Sequence, residues 1–241
     1  MTIFGEIAIT TLRALLGRRR TLLMLLLAAI PIIVGLLVRA NGRPGPADIG
    51  SALDGLVIRV VLPLVALVFG TAALGSELED GTAVHLLTKP IRRSTIVLAK
   101  ITVAGNLTAA MLVPSTLLAG ILMARPGTDA LPTTFAIGAG VLVGSYLYAA
   151  IFVTLSIVTS RGLLVGLGYA LIWEGILAGL LPGSQVFSVR EYVRGIAEWI
   201  EPASIESIVG ASAIVYAAIA LVATSVIASF RLAVYEVRGS D

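Results

Sequence analysis

The sequence contains no cysteine and a single histidine, His85. A disulfide framework, a thiolate metal site and a cysteine nucleophile are thereby excluded, and the redox compartment is left open. A lone histidine in a loop reads as a surface residue rather than a metal ligand. Charge is also scarce: 13% of residues are Asp, Glu, Lys or Arg, against roughly 25% in soluble domains. No G-x-x-x-x-G-K-[ST] phosphate loop occurs, so the chain cannot hydrolyse ATP alone. Nor is there a G-x-S-x-G elbow, an H-E-x-x-H pair or a pair of intramembrane aspartates, the usual parts of a membrane protease or lipid-modifying transferase.

What the sequence has in excess is hydrophobicity. Of its 241 residues, 58% are hydrophobic, and the mean hydropathy is +1.02. This composition predicts an all-α, polytopic membrane protein. Six spans of about 20 residues use roughly half the chain. The remainder is too short for a second domain of ~100 residues, so residues 1–241 form one membrane domain. The excess of Arg over Lys and the Ala/Val/Leu/Gly-rich composition fit a high-GC bacterial genome.

The chain opens with Phe4, Ile7, Leu12, Leu15 and Leu16 at helical spacing, with Glu6, Thr10 and Arg13 on the other face. An amphipathic surface helix over residues 3–18 follows. Arg18, Arg19 and Arg20 then precede an uncharged, span-length stretch. That length, and the lack of an A-x-A-like site after it, argue against a cleaved signal peptide. Spans are expected at about 21–38, 56–74, 96–123, 135–158, 163–181 and 209–230. Between the last two, Val189, Tyr192, Val193, Ile196, Trp199 and Ile200 share one face, and Arg190, Glu191, Arg194, Glu198 and Glu201 the other. This segment reads as a short amphipathic helix on the outer surface, bounded by Pro182 and Pro202.

Orientation follows from the basic residues, which stay in the cytoplasm. With the N-terminus inside, the cytoplasmic segments carry Arg13, Arg18, Arg19, Arg20, Lys89, Arg92, Arg93, Lys100, Arg161, Arg231 and Arg238. The outer loops carry Arg39, Arg43, Arg125, Arg190 and Arg194. Both termini are thus expected in the cytoplasm, and the chain in the inner membrane of a bacterium.

One cytoplasmic loop carries motif-level information. Residues 76–95 change sign from acidic (Glu77, Glu79, Asp80) to basic (Lys89, Arg92, Arg93). The Ser76/Glu79 spacing has the form of a capping box, which places the acids at a helix N-terminus. Val84, Leu86 and Leu87 then offer a small apolar surface ended by Pro90. A solvated turn is the plain reading of such a segment, and a protein-docking helix the functional one. In this loop Glu77, Glu79, Gly81, Thr82, Leu86, Leu87, Pro90 and Arg93 follow the form E-x-E-x-G-T-x-x-x-L-L-x-x-P-x-x-R. Here the sequence resembles the ABC-2 type transporter permeases. The resemblance implies that the loop is a coupling helix docking on a separate ATP-binding-cassette ATPase, and that the N-terminal helix is a connecting helix. It also implies a dimer of six-span subunits, homo- or heterodimeric, above two ATPase subunits that bind ATP and Mg. No cofactor is then expected in this chain, and its partners are the ATPase, a second permease copy and membrane lipid, with no nucleic acid.

Within the spans, charge marks candidates, because it is costly there. Arg59 lies near the outer end of its span and can snorkel or pair with Asp54. Glu174 lies mid-span and needs a cavity, a partner such as Arg59, or a proton. Asn106 is a candidate for a hydrogen bond between helices. Gly140/Gly144, Gly162/Gly166 and Gly175/Gly179 recur at four-residue spacing, which lets backbones approach closely. Pro63 and Pro114 are expected to kink their spans.

The resulting expectation is a permease subunit exporting a hydrophobic or amphipathic substrate, driven by ATP hydrolysis on its partner. Short outer loops and a nearly charge-free interior favour such a substrate over a polysaccharide. An ion-coupled secondary transporter using Glu174 is the alternative, although no inverted repeats are visible. An intramembrane enzyme lacks its chemical parts.

Overall fold

The computed structural model describes residues 3–41, 46–79, 91–124, 130–180 and 183–234, and the described residues are helices joined by short turns. Helix α1 (Ile3–Leu15) precedes α2 (Arg18–Asn41). Next comes one continuous helical rod: α3 (Pro46–Leu53), a π-helical stretch (Asp54–Val61) and α4 (Leu62–Glu79). Helix α5 (Arg93–Met123) and α6 (Ala130–Val158) follow. A second rod comprises α7 (Gly162–Gly168), a π-helical stretch (Tyr169–Leu177) and α8 (Ala178–Leu180). Helices α9 (Val189–Ile200) and α10 (Ala213–Ala233) complete the order.

Among the described residues, five helices are long and apolar enough to cross a membrane: Arg19–Ala40, Asp48–Gly75, Arg93–Met123, Ala130–Val158 and Gly210–Ala233. The expected fifth span is the shorter apolar helix Gly162–Leu177. The helices overrun their expected spans at several ends, α4 and α6 most clearly. Hydropathy marks only the part of a helix that matches hydrocarbon, whereas backbone hydrogen bonding continues into polar sequence.

Helix α6 is the hub, packing against α4, α5, α9 and α10. It is apolar or small on every side, the pattern of a helix enclosed by others. Glycine makes two of these approaches possible. A Cβ on Gly140 would lie 2.6 Å from the Val193 carbonyl oxygen of α9, and one on Gly70 would lie 2.7 Å from the Phe152 Cβ. The Gly140/Gly144 and Gly162/Gly166 pairs thus pack as their spacing predicts, while Gly175 meets only its own helix. Helix α2 lies against α5, and the Ser115 hydroxyl of α5 donates to the Ala28 carbonyl of α2. The outward faces of α2 and α10 are rows of exposed Leu, Ile and Val.

Pro63 acts through hydrogen-bond register. Proline has no N–H for the carbonyl of residue i−4 and its ring crowds that group. The preceding helix is wound in π register, with the Leu62 N–H reaching the Val57 carbonyl. Wide turns of this kind are frequent at functional positions. The two charged residues expected inside spans, Arg59 and Glu174, both lie in π-helical stretches.

Candidate functional site

At the end of the bundle where α4 stops and α5 begins, Glu77 and Lys100 form an ion pair of 2.5 Å. Lys100 is 1% exposed, one of the largest fully buried side chains. A buried ammonium is tolerated when a carboxylate compensates it. The pair therefore fixes the two roots of the 76–95 loop to each other. Helix α1 packs beside these roots, against α5 and α4, through Ile7, Thr11 and Leu15. Its other apolar residues Phe4, Leu12 and Leu16 stay exposed, so the helix has a protein-facing and a separate outward apolar stripe.

The loop differs from its expected form at its start. Ser76 and Glu79 sit in the last turn of α4 and do not cap a new helix. The capping-box spacing is met by chance inside a helix that continues from Leu62. Glu79 ends α4, and Arg93 opens α5. The expected coupling residues Asp80, Gly81, Thr82, Leu86, Leu87 and Pro90 lie outside the described residues. Lys100, one of the cytoplasmic charges used for orientation and lying within the expected span 96–123, is a site residue that the sequence does not single out. Its signal is an ammonium flanked by Ile96, Val97, Leu98 and Ala99 on one side and Ile101 on the other.

The second cluster lies near the opposite end. Glu174 is 2% exposed, yet its carboxylate accepts from every side. Tyr169 Oη donates to Oε1 at 2.9 Å and Ser188 Oγ to Oε2 at 2.5 Å. The backbone N–H groups of Val189 and Arg190 donate at 2.8 and 3.4 Å. These two N–H groups open α9, so Glu174 caps another helix, at the end where the dipole is positive. Ser188, its N-cap, also accepts from the Glu191 N–H at 3.3 Å. A mid-span carboxylate therefore needs neither Arg59 nor an ion.

This capping ties α9 to the bundle. It packs along α6 at Gly140 and Gly144 with Val189, Tyr192, Val193 and Ile196 buried against protein. Two members of its expected apolar face, Trp199 and Ile200, are exposed. Its polar side is closed by ion pairs: Asp54 meets Arg190 at 3.3 Å and Arg194 at 3.5 Å, and Arg194 meets Glu191 at 2.7 Å. Asp54 is thus engaged by α9 and not by Arg59, as the sequence suggested. Arg59 points outward along the first π-helical stretch and has no ion pair among the described residues. It borders a polar cavity of about 220 Å³ that Glu174, Gln185, Ser188, Arg190 and Arg194 also line.

Asn106 accepts from the Tyr146 hydroxyl across α5 and α6, the interhelical bond its position suggested. Among the described residues, no group of three or more His, Cys, Asp or Glu side chains could hold a metal ion.

By length and composition, a bundle of such long apolar helices is that of a membrane-spanning protein. A family model described as ABC-2 family transporter protein matches residues 16–173. The chain belongs to that family, whose members are ABC transport subunits without an ATPase of their own. A search of curated proteins gives no match.

Proposed function

We propose that the chain is the permease of an ATP-driven exporter, with six spans and both termini in the bacterial cytoplasm. The observation that carries this reading is the family match over residues 16–173, which includes the whole 76–95 loop. The rod Gly162–Leu180 serves as the remaining span. Its 19 residues reach about 28 Å as a straight α-helix, close to the ~30 Å of hydrocarbon. Helix α9 shares the outer leaflet with it, since Glu174 meets the start of α9 well inside the rod.

Two permease copies above two ATPase subunits form the transporter, and ATP and Mg bind only to the ATPase. The loop couples the two, with Glu79 and Asp80 supplying charge, Leu86 and Leu87 the apolar anchor, and Gly81, Thr82, Pro90 and Arg93 completing the motif. Glu77 acts behind it, holding Lys100 so that a push on the loop reaches α4 and α5 together. Helix α1 connects along the cytoplasmic surface, its outward stripe in lipid. Arg59 and the polar cavity face the path between the copies, while Asn106 and Glu174 position helices. The substrate is hydrophobic or amphipathic, because exposed spans offer it almost only apolar side chains.

The test is co-purification. A tagged chain expressed with its ATPase should retain it, and proteoliposomes should move a hydrophobic dye with ATP but not with a proton gradient alone. Transport driven by the gradient in the absence of any ATPase would overturn the reading.

A further inference from the structure

A groove of about 620 Å³ runs between the first turns of α5 and the last turns of α10. Its walls include Leu98, Val222, Val226 and Phe230, all exposed, and Arg93 lies at its end. We infer that this groove holds one anionic phospholipid of the cytoplasmic leaflet, its phosphate on Arg93 and an acyl chain along α10.

Three observations favour that occupant. From Leu221 to Ala233 the wall is about 18 Å long at helical rise, matching one leaflet, or half of the ~30 Å hydrocarbon core. The cation stands at one end of an apolar slot, which is the charge distribution of a lipid with an anionic headgroup. The hydroxyls in the α10 wall make no demand on a ligand: Ser225 donates to the Leu221 carbonyl and Ser229 to the Ser225 carbonyl, each at 2.7 Å. An acyl chain lying over them therefore strands no polar group. Arg92 and Arg231, next to Arg93 and Phe230, add positive charge at the same level. The inference takes from the proposed function only its orientation.

The experiment uses the full chain in nanodiscs of mixed phosphatidylglycerol and phosphatidylcholine, with one lipid carrying a photoactivatable acyl chain. Labelled phosphatidylglycerol should cross-link to peptides covering Leu221–Ala233. Arg93→Gln should lower that yield about fivefold, the effect of one basic residue at an anionic surface. Ser225→Phe, which fills the slot, should lose labelling there while α2 is labelled as before, and size-exclusion profiles confirm that both variants are folded. Equal labelling of the groove by the two lipids, or yields unchanged in both variants, overturns the inference. So does labelling confined to α2, which would mean that another part of the chain or a second copy covers the groove. None of these outcomes depends on whether an ATPase co-purifies.

Discussion

The Glu77–Lys100 pair is asymmetric, and that asymmetry predicts its behaviour. Lys100 is fully buried, whereas Glu77 keeps about a third of its side chain exposed. Removing the acid strands an ammonium in the bundle and should cost about 3–5 kcal/mol. Lys100→Met leaves a carboxylate that water still reaches, and should cost clearly less. In a double-mutant cycle by thermal unfolding in detergent, Glu77→Gln with Lys100→Met should recover most of the loss, showing that the two act as a unit. Glu174 makes a different prediction. Glu174→Ala removes four hydrogen-bond acceptances at once and should destabilise by about 3 kcal/mol or more, because buried donors are left unmade. Glu174→Gln keeps one acceptor oxygen and should fall between. If it instead abolishes transport at full stability, the residue is part of the path and not a positioning residue. Glu174 was visible in the sequence as a carboxylate mid-span, but its partner was not. Two of its four donors are backbone, the first N–H groups of α9, which leave no mark in composition, and the other two are the common hydroxyls of Tyr169 and Ser188.

At the scale of elements, α9 is where pattern and placement part. Its alternating faces have the form of an interfacial helix, and periodicity alone cannot distinguish water from a set of compensating charges. The structure supplies Asp54 and Glu191 for Arg190 and Arg194, so much of the charge on the polar face is compensated within the protein. Gly140 and Gly144, by contrast, took the role their spacing suggested, small residues four apart that let helices approach closely, although the same spacing at Gly175 brought no neighbouring helix near. Gly140→Leu should push α9 away from α6 and lower stability by about 1–3 kcal/mol, the usual range for overpacking, read as a drop in Tm. Gly175→Leu, which meets no neighbouring element, should leave Tm nearly unchanged. The long helices were legible because their hydropathy exceeds that of any soluble helix. The rod Gly162–Leu180 was the least legible of them, short and interrupted by π register over Tyr169–Leu177.

For the whole molecule, the motif of residues 76–95 read correctly to the family, because its eight fixed positions stand together between the second and third expected spans. The interior of the loop lies outside the described residues, and its docking role is the proposal made above. Glu77 belongs to the fold through Lys100, which leaves Glu79 and Asp80 as the acids that the proposal assigns to the partner. The direct measurement is therefore ATP hydrolysis by the reconstituted complex carrying Glu79→Lys and Asp80→Lys together. The variant permease should fold and insert as the wild type does, while substrate-stimulated hydrolysis falls about tenfold or more, as expected for reversing charges that steer a docking contact. Wild-type stimulation in that double variant would contradict the assignment of the loop as the link between membrane and motor.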